Sequence, residues 1–373
     1  MTTVVFAIPG DIDLPTGGYT YDRRVLALLP QFGIDAQHLW LPDSYPAPTQ
    51  ADLEWTANAF AKLSRKAVLM VDGLAYGAMP PDAIQPAPCP IVALVHHPLC
   101  LETGLSEARQ AELRTSEVLA LSLARHIVAT SRATAQILVD EFGVPAERIT
   151  VAEPGTDRAP RAIVRIVPAL DGAPRSRETS LLSEPRATSP ATVQMLAVGS
   201  IVPRKAYDVL VRALSMLRDV PNWQLTIAGA TDRSPDTTEA LHSQIMYLGL
   251  KNSVRLVGPQ SESALAKLYA SADVFVMSSL YEGYGMVLAE AMTRGLPIVC
   301  TTGGAAANTV PDGAGIKVPP GDETALTQAI DRVLRDAALR QRLADGSWAA
   351  GQALPRWEDT TAAIATVIKE LAP

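Results

Sequence analysis

Short runs of apolar and β-branched residues alternate with helix-periodic segments along this chain, and most runs end in glycine or another turn former. Thr3 to Ile8 is followed by Gly17-Gly18 and a helical pattern from Tyr19 to Leu29. Ala67 to Val71 ends in Asp72-Gly73, and Ile91 to Val95 ends in His96-His97-Pro98. Glu107 to Ala124 reads as a helix and His126 to Thr130 as a strand. Ser131 suits the N-cap of a helix from Arg132 to Phe142, and Ile149 to Ala152 is a strand closed by Pro154-Gly155. Strands that alternate with helices build parallel βαβ units with helices on both faces of the sheet. Ligands of such sheets bind beyond the carboxyl ends of the strands, where Gly17, Gly18, Asp72, His96 and His97 fall.

The pattern breaks from Arg158 to Thr192, a stretch rich in Pro, Ser, Ala and Arg with one short apolar piece, Ile163 to Ile166. It reads as an irregular, mobile insertion. At Val193 the alternation restarts. Strands are expected at Met195 to Val198, Trp223 to Ala228, Val254 to Leu256, Val274 to Met277, Pro297 to Thr301 and Gly315 to Val318. Helices are expected at Tyr207 to Leu217, Glu239 to Leu248, Ser263 to Ala270 (capped by Ser261 or Ser263), Glu323 to Arg335, Leu339 to Ala350 and Trp357 to Leu371. The fold class is therefore α/β: two Rossmann-like, doubly wound domains facing a cleft.

Composition narrows the function. At 373 residues, 48% hydrophobic and 19% charged, the chain is globular and long enough for two domains. A net charge of −7 argues against a nucleic-acid partner. The three cysteines, Cys89, Cys100 and Cys300, form neither a disulfide framework nor a metal-spaced pair, which fits a reducing, cytoplasmic setting. The start, MTTVVFAIPGD, lacks the basic and long apolar regions of a signal peptide, and no apolar window approaches the roughly 18 residues that span a bilayer.

One stretch concentrates chemistry. Tyr281-Glu282-Gly283-Tyr284-Gly285-Met286-Val287 is a Gly-rich turn that opens a helix, with Glu282 in the turn and Glu290 eight residues on. Glycines let backbone approach a ligand, and a helix start offers unpaired N–H groups and a positive dipole end that suit phosphate. Helical spacing would return Glu290 to nearly the face of Glu282, about two turns later. Other strand ends converge on this place: Gly199-Ser200, Arg204-Lys205, Gly229, Gly258 and Gly303-Gly304. Arg204-Lys205 supply local positive charge to an acidic protein, which suggests a diphosphate, and Glu290 could accept from ribose hydroxyls. Each feature alone has an ordinary reading. A basic pair is usually a solvated loop, isolated glutamates are surface carboxylates, and paired histidines are hydrogen-bonded strand ends. Their joint placement at strand ends is what points to a nucleotide site.

The segments VGSIVPRKAYDVLVRAL (Val198 to Leu214) and SSLYEGYGMVLAEAMTRGLPIVCTTGG (Ser278 to Gly304) resemble the donor-binding domain of the family 4 glycosyltransferases. The family's E-x7-E pair matches Glu282 and Glu290, and Gly17-Gly18 and the strand ending at His96 fit its first domain. The resemblance implies the GT-B architecture, with the last helix, Trp357 to Leu371, crossing back to the N-terminal domain. Residues 1–157 with about 355–373 would then form the acceptor-binding domain, 158–192 the insertion and 193–354 the donor-binding domain.

By resemblance, Lys205 with Arg204 neutralises the donor diphosphate, Glu290 binds the ribose and Glu282 lies near the transferred sugar. The N–H groups of Tyr284 to Val287 bind that sugar or its phosphate, and Gly17 or Gly18 faces the diphosphate. His96 lies beside the reacting sugar, with His97 its competitor, and Asp72 is a further candidate for sugar or acceptor contact. Two departures stand out. Gly199-Ser200 replaces the usual Gly-Arg, so the phosphate clamp rests more on Lys205 and Arg204. Asn308 stands where many members are acidic, which removes support for contacts in that loop.

The expected activity is retaining transfer of a hexose-type sugar from a nucleotide-diphosphate sugar, UDP favoured and GDP-mannose the other candidate, to a hydroxyl acceptor. No metal or cofactor is implied. A nucleotide-sugar epimerase or hydrolase, and a non-catalytic nucleotide-sugar binder, are the alternatives. The first domain holds 10 Lys/Arg against 18 Asp/Glu and shows no basic amphipathic face, only the small cluster Ser64-Arg65-Lys66. Lipid, polysaccharide and small-molecule acceptors, peripheral contact with the cytoplasmic membrane, and the oligomeric state all stay open at this point.

Overall fold

The computed structural model describes residues 2–163, 192–217, 220 and 222–373, and they form two six-stranded sheets in which every pairing is parallel. The first contains β1 (Thr2–Pro9), β2 (Ile34–Leu41), β3 (Ala67–Asp72), β4 (Ile91–Val95), β5 (His126–Ala129) and β6 (Ile149–Val151), in the order β2-β1-β3-β4-β5-β6. The second contains β7 (Val193–Val198), β8 (Trp223–Ala228), β9 (Val254–Leu256), β10 (Val274–Met277), β11 (Ile298–Thr301) and β12 (Gly315–Val318), in the order β12-β11-β10-β7-β8-β9.

Side chains of successive strand residues go to opposite faces, so each sheet separates two cores. In β1, Val5 and Ala7 join one core while Val4, Phe6 and Ile8 join the other. In β7, Met195 and Ala197 lie opposite Leu196. The order of strands reverses between β1 and β3 in the first sheet and between β7 and β10 in the second. These reversals are where crossover helices part to opposite faces and leave a crevice. The crevices open at Gly10–Gly18 and Asp72 on one side, and at Gly199–Lys205 and Ser278–Glu282 on the other.

Strand β2 and the helix Gln50–Ala61 are not anticipated by the apolar-run reading. β2 is an edge strand whose middle residues are half-buried or exposed, so it carries no continuous apolar run. The helix was signalled by Thr49-x-x-Asp52: Thr49 Oγ1 accepts from the Asp52 N–H, and Asp52 Oδ2 accepts from the Thr49 N–H. Ser131 caps Arg132–Phe142 as expected, and Ser261 rather than Ser263 caps Glu262–Ser271.

The chain returns to the first sheet at its end. Helix Trp357–Leu371 buries Trp357, Ile364, Val367 and Ile368 in the core formed by Val4, Phe6, Tyr21 and Val25. Thr360 Oγ1 donates to the Glu153 carbonyl at 2.6 Å, and the Thr156 N–H donates to the Pro355 carbonyl at 2.9 Å. Of the insertion expected at 158–192, residues 158–163 and 192 are described and the rest lies outside the described residues. Arg161 pairs with Asp345, and the Ala162 N–H donates to the Arg294 carbonyl at 2.8 Å. Cys89, Cys100 and Cys300 are all buried free thiols.

Candidate active site

Strand β10 runs into an irregular turn, Ser278 to Gly285, before helix Met286–Thr293. Gly285 is the N-cap in the left-handed region at φ 87°, a conformation glycine adopts without steric cost. Glu282 therefore precedes the helix, and the same-face argument from helical spacing does not hold. The two glutamates are placed by different contacts. The Glu282 backbone is pinned to the Gly303-Gly304 loop: its N–H donates to the Gly303 carbonyl at 3.2 Å, and its carbonyl accepts from the Ala305 N–H at 2.8 Å. Among the described residues, the N–H groups of Gly283, Tyr284, Gly285, Met286 and Val287 have no acceptor. Five donors at a helix start thus remain for a ligand.

Glu282 is 6% exposed and is met by two cations. Lys205 Nζ lies 2.5 Å from Oε1, and Arg204 Nη1 lies 3.2 Å from Oε2. Burial alone would raise the Glu282 pKa. The charges of Lys205 and Arg204 outweigh it and hold the carboxyl at about 2, so it is ionised at neutral pH. Lys205 and Arg204 sit on the turn Pro203–Lys205, which is tied to the same segment: the Leu280 N–H donates to the Arg204 carbonyl at 2.8 Å and Ser278 Oγ to the Lys205 carbonyl at 2.9 Å. Ala206 follows at φ 48°, left-handed without being glycine. It swings the chain into helix Tyr207–Ser215 and fixes where Lys205 points.

Arg204 carries more partners than a phosphate clamp would leave free. Besides Glu282, Nη1 donates to the Tyr281 carbonyl at 2.7 Å, and Nε lies 3.2 Å from Glu102 Oε1, a carboxylate of the first domain. Glu102 Oε2 is in turn 3.2 Å from His97 Nε2, and the His97 ring leans on Tyr281 at 6.0 Å between centroids. Arg204 and His97 thus join the two domains beside the site. Lys205 keeps two of its three ammonium protons for a ligand.

Glu290 lies one helix turn inside Met286–Thr293. Its Oε2 accepts from Tyr269 Oη at 2.8 Å, while Oε1 has no partner among the described residues. Burial raises its pKa, against the Tyr269 hydrogen bond and the nearby Arg294 charge. Arg294 in turn sits 4.4 Å over the Tyr269 ring.

The opposite wall comes from the first domain. His96 directly follows β4, and its Nε2 lies 3.2 Å from Asp72 Oδ2 and 3.4 Å from Asp22 Oδ1. Asp72 Oδ1 accepts the Leu74 N–H at 2.7 Å, which caps the turn Gly73–Tyr76. Gly18 lies against the same edge of the imidazole: a Cβ there would be 3.5 Å from His96 Nε2. A Cβ on Gly283 would stand 2.5 Å from the His96 carbonyl, so the absence of a side chain is what lets the walls meet. Met286 also crosses the gap. Its Sδ would be 3.6 Å from a Cβ on Gly17, and it packs with the core of the first domain.

Gly199, Ser200 and Gly229 form the floor beside Lys205. A Cβ on Gly199 would come 2.9 Å from Lys205 Cε, and one on Gly229 would collide with the Gly199 carbonyl. Gly258 is a correction to the expected cluster. It lies just past edge strand β9, has open space where a side chain would be, and reaches the site only by accepting the Gly229 N–H at 2.9 Å. The sequence-predicted residues otherwise come together, except that His97 faces Glu102 rather than His96's carboxylates.

Three site residues had no sequence signal: Asp22 meets His96 and Glu102 meets Arg204 only through the fold, and Tyr269 reaches Glu290 from another helix. One candidate metal-ligand grouping exists among the described residues, Asp22, Asp72 and His96, with ligand atoms within 4.8 Å of one another. Sequence spacing could not show it, because the three residues come from separate βα units. The imidazole itself meets both carboxylates directly, and the group reads as an ion-paired cluster.

Comparison with known proteins agrees with this geometry. The family described as "Glycosyl transferases group 1" matches residues 184–347, and "Glycosyltransferase Family 4" matches residues 73–159. A D-inositol 3-phosphate glycosyltransferase of Stackebrandtia nassauensis is 30% identical over 229 residues, covering 59% of this chain and 48% of that protein. The same enzyme of Salinispora arenicola is 31% identical, covering 60% and 50%. The chain thus spans about half the length of the curated relatives it matches. Among solved structures, HepE of Anabaena in complex with UDP and glucose superposes with a TM-score of 0.75 at 19% identity over 100% of both chains. Sucrose-phosphate synthase of Thermosynechococcus elongatus gives 0.77 at 21% identity over 98% of each. From the two matched regions, the parallel double-sheet architecture and the returning C-terminal helix, the chain belongs to glycosyltransferase family 4 and has the two-domain GT-B fold.

Proposed function

We propose that this protein is a retaining, metal-independent glycosyltransferase that takes a hexose-type sugar from a nucleotide diphosphate, UDP rather than GDP, to a hydroxyl acceptor. The observation that carries the reading is the set of unpaired N–H groups at Gly283 to Val287 beside the Lys205 ammonium. Negative charge grows on the β-phosphate as the sugar–phosphate bond breaks. Preorganised donors aimed at that charge stabilise the transition state more than the ground state. Residues 1–157 with about 355–373 supply the acceptor side, and 193–354 the donor side.

Lys205 acts as the main cation on the diphosphate. Arg204, held by Glu282, Glu102 and the Tyr281 carbonyl, keeps the loop and Lys205 in place. Glu290 Oε1 accepts from the ribose, with Oε2 fixed by Tyr269. Glu282, ionised and clamped by two cations, lacks the freedom of a nucleophile, which favours same-face transfer: the acceptor hydroxyl attacks from the side the phosphate leaves, and the phosphate takes its proton. His96 faces the sugar from the first domain. The close approach of Gly283 to His96 excludes water from the joint between the walls. The acceptor has no charge signature, and the acidic first domain disfavours an anionic surface.

A thermal-shift panel of UDP- and GDP-sugars tests the donor half, followed by mass spectrometry of acceptor mixtures with the best binder. Lys205→Ala should lose transfer by about 100-fold or more, as expected when one preorganised donor to a developing oxyanion is removed. Unchanged turnover in that variant would sink the clamp assignment.

A further inference from the structure

Asp22 is a carboxylate with no place in the fold's own hydrogen bonding. It lies on the inner face of helix Gly17–Leu28 with none of its surface exposed, and neither oxygen has a hydrogen-bond partner among the described residues. An uncompensated buried carboxylate costs several kcal/mol, so its retention inside a core calls for a counter-charge. Among the described residues the basic group in reach is His96, whose Nε2 is 3.4 Å from Oδ1. Asp72, by contrast, is already explained in part, since its Oδ1 caps the turn Gly73–Tyr76 and only Oδ2 turns to His96.

The imidazole is held from several sides. Tyr21 packs edge-on against it, with ring centroids 5.3 Å apart at 87°. The His96 carbonyl accepts from Thr130 Oγ1 at 3.2 Å and Thr134 Oγ1 at 3.3 Å, and Gly18 closes the Nε2 edge. The titratable groups facing it from its own domain are Asp22 and Tyr21 of the first helix and Asp72 at the end of β3. The opposite domain presents the backbone of Gly283. Nε2 lies within ion-pair distance of both carboxylates without a hydrogen bond of regular geometry to either, and no contact of Nδ1 is found among the described residues.

We propose that Asp22 is the positioning residue of His96: with Asp72 it encloses Nε2, holds the imidazole in its charged form, and leaves Nδ1–H as the donor available to the substrate. Burial opposes charge on His96, but its contacts with Asp22 and Asp72 outweigh burial and raise its pKa. Burial and the Asp72 charge raise that of Asp22. A cationic His96 would give the first domain a positive group facing the nucleotide-sugar half of the cleft. Without Asp22 the ring would become an ordinary neutral imidazole above its usual titration near 6.5.

The test is an NMR titration of the unliganded full chain carrying 13C-labelled histidine. His96 is assigned from the signal lost in His96→Asn among the 5 histidines. The expected result is a His96 midpoint well above the others in the wild type, lowered by about one pH unit or more in Asp22→Asn. Asp72→Asn, the second variant, should lower it as well, so the proposal stays testable if Asp22→Asn does not fold. A wild-type midpoint near the usual value of about 6.5 would overturn the proposal. So would a midpoint unmoved by either substitution, or displacement of the His96 signal by added Zn²⁺ or Mg²⁺. A kinetic arm rests on the transferase reading, whereas the NMR arm does not. The alkaline limb of kcat should move to lower pH in Asp22→Asn while the KM for the nucleotide sugar stays within about twofold. A limb that stays in place while His96 shifts would count against the proposed role of His96 in transfer and leave the Asp22 assignment standing.

Discussion

Replacing Lys205 with methionine keeps its length and removes its charge, and the cost should depend on pH in a defined way. Glu282 is 6% exposed, and the Lys205 side chain is 12% exposed, so solvent screens their 2.5 Å contact little. The two cations bring Glu282 from the usual carboxylate range to about 2. That shift corresponds to about 3 kcal/mol of stability at neutral pH. Arg204 at 3.2 Å would still pair with Glu282, so Lys205→Met should lose roughly 2 kcal/mol of it. The folded-state pKa is depressed. The stabilisation is therefore complete above the ordinary carboxylate range and is lost as pH falls toward 2. Urea unfolding followed by circular dichroism should show the gap between wild type and variant at pH 7, shrinking to about half or less near pH 3. A gap equal at the two pH values, or below about 0.5 kcal/mol at pH 7, would refute the reasoning that the pair is a buried, charge-coupled contact.

Gly283→Ala would place a Cβ 2.5 Å from the His96 carbonyl and force the two walls apart. Transfer should fall by tenfold or more, on the order set by an ångström of misplacement, while the melting temperature moves little; unchanged kcat/KM contradicts the close approach. Tyr269→Phe frees Glu290 Oε2 and leaves it unpaired in a buried site. Nucleotide affinity measured by calorimetry should weaken by about tenfold, the loss of one charge-assisted hydrogen bond. Ala206→Gly removes a left-handed alanine at φ 48°. Denaturant melts should find it neutral or stabilised by up to about 1 kcal/mol, whereas Ala206→Val should be destabilised by about 2 kcal/mol or more.

The sheets were legible where strands are apolar throughout, as in β3 and β4, because a strand buried on both faces must be written as a continuous apolar run. Edge strand β2 was illegible for the same reason, since one side of it meets solvent. The residues around Glu282 could be read because the turn, the basic pair and the glycines lie at strand ends, and strand ends of a parallel sheet converge. Helical phase fixes Glu290 but not Glu282, and one residue decides this. Gly285 in the left-handed region starts the helix after Glu282, so helical periodicity does not connect the two. Asp22 was hidden because a lone aspartate in a helical pattern looks like a solvent-facing residue. Only the packing of helix Gly17–Leu28 into the core it shares with β1, β3 and β4 turns it inward to His96. Glu102 was hidden because its partner Arg204 belongs to the other domain.

The cleft is proposed to move a sugar from a nucleotide diphosphate to another molecule. The most direct measurement supplies sugar-labelled UDP- and GDP-sugars with separate lipid, oligosaccharide and small-polyol acceptor fractions, then follows the label and reads the anomeric configuration of the product. Label should appear in one acceptor fraction, with an equal release of nucleoside diphosphate and the donor's anomeric configuration kept. Label appearing only as free sugar or as an isomerised nucleotide sugar, or a product of inverted configuration, would contradict it.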